Sequence, residues 1–187
     1  MIDNLCNQAR GNIAVVGFYC DFLAQQEQSA TSMLGAILKQ VVGRGGIPEH
    51  IRDAFQKAKR EFDSPGLRLP DLVEILKKTI TSLQRVFICI DALDESAPKH
   101  RQELLESLRE VVRMSPNTRI FLTGRPHINN EITRCFCEVV RIPVSPTQDD
   151  IKSYLEMRLD RDTDPDAMDH ELRADIMRII PARISEM

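Results

Sequence analysis

Five apolar residues, Val86-Phe87-Ile88-Cys89-Ile90, run without a break into an acid, Asp91. A surface helix or a half-exposed strand would interrupt such a run with polar residues, so its continuity marks a strand buried on both faces. Two further runs have the same character. Ile13 to Cys20 closes on Asp21, and Arg119-Ile120-Phe121-Leu122-Thr123 leads into Gly124-Arg125-Pro126. Glu138 to Ile142 reads as a fourth strand, stopped by Pro143.

The segments between these runs have helical period. Met33, Leu34, Ile37, Leu38, Val41 and Val42 recur at three- and four-residue spacing, with Thr31 or Ser32 available as a cap and Gly43-Arg44-Gly45-Gly46 as a stop. Pro48 opens a more polar helical stretch carrying Ile51, Phe55 and Phe62, and Ser64-Pro65-Gly66 breaks the chain again. Pro70 suits the first turn of a helix with Leu72, Val73, Leu76, Ile80 and Leu83 on one stripe. Leu104, Leu105, Leu108, Val111 and Val112 line another, and a short helix runs through Ile128 and Ile132. Buried strands alternating with helices define an α/β fold, a parallel sheet flanked by helices.

The composition shifts after Ser145, where a soft boundary divides residues 1–145 from residues 146–187. Pro146-Thr147 opens a helix with Asp149 and Asp150 in its first turn and Ile151, Tyr154, Leu155 and Leu159 on its stripe. Asp162 to Pro165 reads as a linker, and Met168 to Ile180 as a last helix.

A net charge of -3 and the absence of Trp exclude a broad basic surface with stacking rings, so nucleic acid is not an expected partner. No apolar stretch is long enough to cross a bilayer, and the N-terminus lacks the pattern of a secretory signal. The five cysteines are odd in number, and two lie inside apolar runs, which points to buried thiols in a reducing compartment. Cys135 and Cys137 have no second ligand pair at zinc spacing. A cytoplasmic chain is expected.

The chemistry concentrates at two strand ends. Asp91 stands where a parallel sheet presents ligands, at the carboxyl edge of its strand. A magnesium ion beside phosphates needs such a carboxylate, reached through water. Asp94 and Glu95 follow within one turn, and either could position or polarise an attacking water. The alternative is an ordinary acidic turn in solvent. Thr123 and Arg125 tip the second strand, offering a hydroxyl and a guanidinium to a phosphate; otherwise Arg125 pairs with a surface acid.

The stretch Val16-Gly17-Phe18-Tyr19-Cys20-Asp21-Phe22, then IDALDE, then FLTGRP, resembles the NACHT-type NTPase domains of the STAND class, above all the nephrocystin-3-like N-terminal group. The resemblance extends from about Ile2 to about Leu159. It implies a P-loop NTPase sheet over residues 1–145 and the start of a helical region over 146–187. It also implies Asp91 as the Walker B magnesium acid, Asp94 and Glu95 as its catalytic extension, and Thr123 to Arg125 as the sensor region that contacts the bound nucleotide. Magnesium and ATP or GTP are the implied cofactors, with other protein domains, including copies of the same protein, as partners.

One departure matters. The pattern G-x-x-x-x-G-K-[ST], whose lysine and hydroxyl grip the phosphates, occurs nowhere in the chain. The expectation is a chain that begins just after the phosphate-binding loop and lacks that loop's strand, with impaired nucleotide binding. Three functions follow: a fragment of a nucleotide-dependent signalling switch, a nucleotide-independent interaction module, or a helicase-like motor. The mild acidity disfavours the last.

Overall fold

The computed structural model describes residues 12–43, 46–62, 66–161 and 169–184. Parts of the two expected breaks at 43–46 and 64–66, and the linker at 162–165, lie outside these residues. The chain divides into two compact units, residues 1–139 and 140–187.

The first unit holds a parallel sheet of three strands, β1 (Ile13–Tyr19), β2 (Arg85–Asp91) and β3 (Thr118–Leu122), in that order. Each run identified by its continuous apolarity is a strand. β1 and β2 pair from Ile13 opposite Arg85 to Tyr19 opposite Asp91, and β2 and β3 from Val86 opposite Thr118 to Ile90 opposite Leu122. This register aligns Val16, Ile88 and Ile120 in one row across the sheet. It also brings all three carboxyl ends to the same rim.

Helices α1 (Ala30–Val42), α2 (Glu49–Phe62), α3 (Leu69–Thr81) and α4 (Pro98–Met114) occupy the segments of helical period. Ser29 caps α1 by accepting the Ser32 N–H at 3.2 Å, two residues before Thr31 and three before Ser32, the caps the sequence suggested. Met33, Leu34 and Ile37 of α1, Leu76 and Ile80 of α3, and Leu104 and Leu108 of α4 meet Val16, Val86, Ile88 and Ile90 in one core. Among the described residues, a side chain meets the outer edge of β1 at Gly17. The Gln40 amide donates to the Gly17 carbonyl at 2.8 Å and accepts the Gly17 N–H at 3.0 Å, the two bonds a neighbouring strand would make. A short helix, α5 (Asn129–Cys135), follows a 3-10 turn over Pro126–Ile128.

The fourth strand is not formed. Residues 138–147 carry no regular structure, and Val140 and Ile142 are exposed by 90% and 80%. Glu138 to Ile142 is a short run with β-branched residues, but a strand exists only where a partner satisfies its backbone, and this segment finds none among the described residues.

The second unit contains α6 (Gln148–Asp160) and α7 (His170–Ile184), which pack together. Thr147 and Asp150 form a reciprocal capping box at the start of α6, and the Thr147 hydroxyl and N–H hold the Asp150 carboxyl below the usual carboxylate range. The last helix runs on through Pro181 to Ile184 instead of ending at Ile180, because a proline removes one bond of the ladder without preventing the next turn from closing. No described helix is long and apolar enough to cross a membrane.

Candidate functional site

Asp91 ends β2, and the chain turns sharply behind it. Ala92 takes the left-handed conformation (φ 53°, ψ 43°), which costs a non-glycine residue about 1 kcal/mol. The turn drives Leu93 fully into the core and closes a 3-10 turn over Leu93–Glu95. The burial of Leu93 offsets the strain. Asp94 is thereby carried back towards β3 instead of out into solvent.

The tip of β3 locks onto this turn. The Thr123 N–H donates to the Ile90 carbonyl at 3.0 Å, and the Thr123 carbonyl accepts the Leu93 N–H at 2.9 Å. The Thr123 hydroxyl donates to Asp91 Oδ1 and accepts the Ala92 N–H at 2.9 Å. Asp94 Oδ1 accepts the Arg125 N–H at 3.1 Å, and Arg125 Nε lies 3.4 Å from Asp94 Oδ2. Gly124 lies close between them: a Cβ there would stand 2.7 Å from Ile128 Cδ1 and 3.3 Å from Asp94 Oδ1, so a side chain would have to displace the buried Ile128 side chain. Glu95 reaches the β1 side, where its Oε2 accepts the Phe22 N–H at 3.3 Å.

The two tips therefore emerge side by side from adjacent parallel strands, with the partners divided. Thr123 engages Asp91, while Arg125 engages Asp94. The Asp94 side chain is only 7% exposed and its carboxylate is committed to the Arg125 backbone; the Arg125 side chain is 76% exposed. An ion pair to so exposed a guanidinium contributes little to stability. Arg125→Ala is therefore expected to cost less than about 1 kcal/mol, and Asp94→Ala about 2 kcal/mol because it leaves a backbone N–H unpaired. Urea denaturation of the two variants side by side measures the difference.

Sequence reasoning missed two residues of the site. Arg101 lies in the first turns of α4, buried to 5% exposure. It donates to Glu131 through Nε at 2.7 Å and Nη2 at 2.9 Å, and to the Ser96 carbonyl at 2.7 Å. Its hydrogen bonds hold the Glu131 carboxyl below the usual carboxylate range. The signal was present: Arg101 falls on the same stripe as Leu104, Leu105 and Leu108, where a lone cation must be paired.

Cys20, just past β1, is the second. Burial, followed by the negative charges of Glu95, Asp91 and Asp94, raises its thiol from 9.0 to about 11. A raised thiol pKa keeps the folded protein protonated where the unfolded chain has already ionised. Its contribution to stability is thus constant below about pH 9 and falls as pH rises towards about 11. Thiol labelling at pH 8 is expected to modify exposed Cys137 well before Cys20.

The metal half of a nucleotide site fits these residues, and the phosphate half does not. Asp91 Oδ2 has no hydrogen-bond partner among the described residues, which suits a magnesium ion reached through water. The described residues contain no cluster of three or more His, Cys, Asp or Glu arranged to hold a metal directly. Among them no loop of backbone N–H groups with a lysine faces Asp91, and Arg125 places an exposed guanidinium at this rim.

The fold and rim together define a parallel α/β domain with an acidic and arginine-bearing carboxyl edge. The family model for the N-terminal region of nephrocystin 3 matches residues 1–125, and the chain belongs to this family. No curated protein and no solved structure matches the chain.

Proposed function

We propose that the chain is part of a nucleotide-dependent signalling switch, a NACHT-type domain of the STAND class of P-loop NTPases. The observation that carries this reading is the meeting of Asp91 with Thr123, and of Asp94 with Arg125, at the carboxyl rim of two adjacent parallel strands. In such sheets this rim is the ligand edge.

Asp91 would hold magnesium through water, with Thr123 fixing the rotamer of its carboxylate. When bound, magnesium supplies neutralising charge to the phosphates of ATP or GTP. Arg125 is placed to reach a terminal phosphate, because its side chain is exposed and its backbone is anchored by Asp94. Glu95, whose carboxylate accepts a long bond from the Phe22 N–H, is better placed than Asp94 to orient a water. The reading places the protein in the cytoplasm. Its partners would be other protein domains and copies of itself, with neither nucleic acid nor membrane involved.

The test is isothermal titration of Mg-ATP and Mg-GTP into this chain and into a form extended upstream through a phosphate-binding loop. The extended form should bind with a Kd of roughly micromolar order, and Asp91→Asn should weaken it by about tenfold or more. The chain by itself should bind far more weakly. An extended form that takes up neither nucleotide would defeat the proposal.

A second reading has an observation of its own. The commitment of Asp94 to Arg125, in a sequence without a lysine-hydroxyl loop, favours a nucleotide-independent interaction module. Self-association unchanged by nucleotide, measured by sedimentation, would support it.

A further inference from the structure

A cavity of about 630 Å³ opens between α1, α2 and α3, lined by none of the rim acids. Its volume falls within the roughly 300–1,000 Å³ typical of small-molecule sites. Leu38, Ile51 and Leu72 line it as buried apolar walls, and Ile47 and Phe55 stand at its mouth, each about half exposed.

Gly35 gives the cavity its depth. It sits in the interior of α1, where glycine costs roughly 1 kcal/mol relative to alanine. A Cβ built on it meets no atom within 4 Å. Helix packing therefore does not demand a glycine here, and the space that a side chain would fill belongs to the cavity lining.

The cavity also carries charge of one sign. Lys39 and Arg52, from two different helices, both line it. Neither makes an ion pair or a side-chain hydrogen bond among the described residues, although other surface cations such as Lys77 and Arg173 are paired. Among the described residues no acid lines the cavity. An apolar recess edged by two uncommitted cations is complementary to a molecule with an apolar body and a single anionic head.

We propose that this cavity is a binding site for an acyl carboxylate of fatty-acid type. The chain would lie over Gly35 between Leu38, Ile51 and Leu72, and the carboxylate would be held by Lys39 and Arg52. A partner helix suits the site less well, because a stable protein interface covers about 800 Å² on each side and the recess is confined to one three-helix corner. The site does not depend on the chemistry at the strand tips.

The test uses the full 187-residue chain. The protein contains no Trp, so binding is followed with a dansyl-labelled undecanoic acid displaced by unlabelled ligands. Dodecanoate is expected to displace it well below its micellar concentration, and dodecyltrimethylammonium to displace it at least about tenfold less well. The double variant Lys39→Met, Arg52→Met should weaken dodecanoate by about tenfold or more and leave dodecanol unchanged. Gly35→Leu should abolish binding of both while raising the thermal midpoint, so that lost binding cannot be ascribed to lost folding. Equal displacement by the anionic and cationic amphiphiles would overturn the proposal. So would undiminished binding to Gly35→Leu, or binding of an acidic amphipathic peptide in place of dodecanoate.

Discussion

Replacing Arg101 with methionine is expected to cost the fold about 2–3 kcal/mol, seen as a fall of roughly 1 M in the urea midpoint. The methionine keeps most of the apolar stem and removes the guanidinium. Three groups lose their donor: the Glu131 carboxylate and the carbonyls of Ser96 and Asp94. Glu131 is partly exposed and can rehydrate, so most of the cost falls on the buried Ser96 carbonyl. The acid side of the stability profile should change as well. In the parent, Glu131 titrates below its ordinary value, so its contribution is present above the unfolded carboxylate pKa and is lost as pH falls through the lowered folded one. Arg101→Met should remove that part of the acid dependence. A variant as stable as the parent with an unchanged acid limb would show that the Arg101 network is dispensable. Arg101 also ties α4 and Glu131 of α5 to the turn that carries Asp94.

A larger loss is expected at Ile88. It is fully buried at the centre of the middle strand, in the row with Val16 and Ile120, under the helices of the core face. Ile88→Ala should cost about 4 kcal/mol and Ile88→Val about 1 kcal/mol, a graded series set by the volume removed. A domain stabilised by only about 5–15 kcal/mol would be brought close to unfolding by the first of these. Chemical denaturation of both variants provides the check. Equal losses would mean that the site relaxes around the missing atoms, contrary to the close packing seen here.

The three strands of this fold were legible because burial on both faces leaves a local trace that needs no partner to read. The helices between them were legible for a similar reason, since each writes its buried stripe into its own spacing. The position of Asp91 followed from the same trace, and that of Thr123 from the strand that precedes it. Glu138 to Ile142 shows the limit: it is a short run that a proline stops, yet such a run records only which residues could sit in a strand. Whether a second strand is there to bond the backbone is not a local property.

The pairings at the rim belong to the tertiary structure. That Arg125 faces Asp94, and Thr123 faces Asp91, depends on one left-handed residue, Ala92, and on the burial of Leu93 that holds it there. A conformation disfavoured in isolation is chosen because the core rewards it, and no window of sequence contains both terms. Arg101 and Cys20 enter the site for a like reason, from elements brought alongside by the packing of α4 and the register of β1. Apolar continuity is a property of neighbours along the chain. The partners of a charge are set by neighbours in space, and only the folded molecule names them.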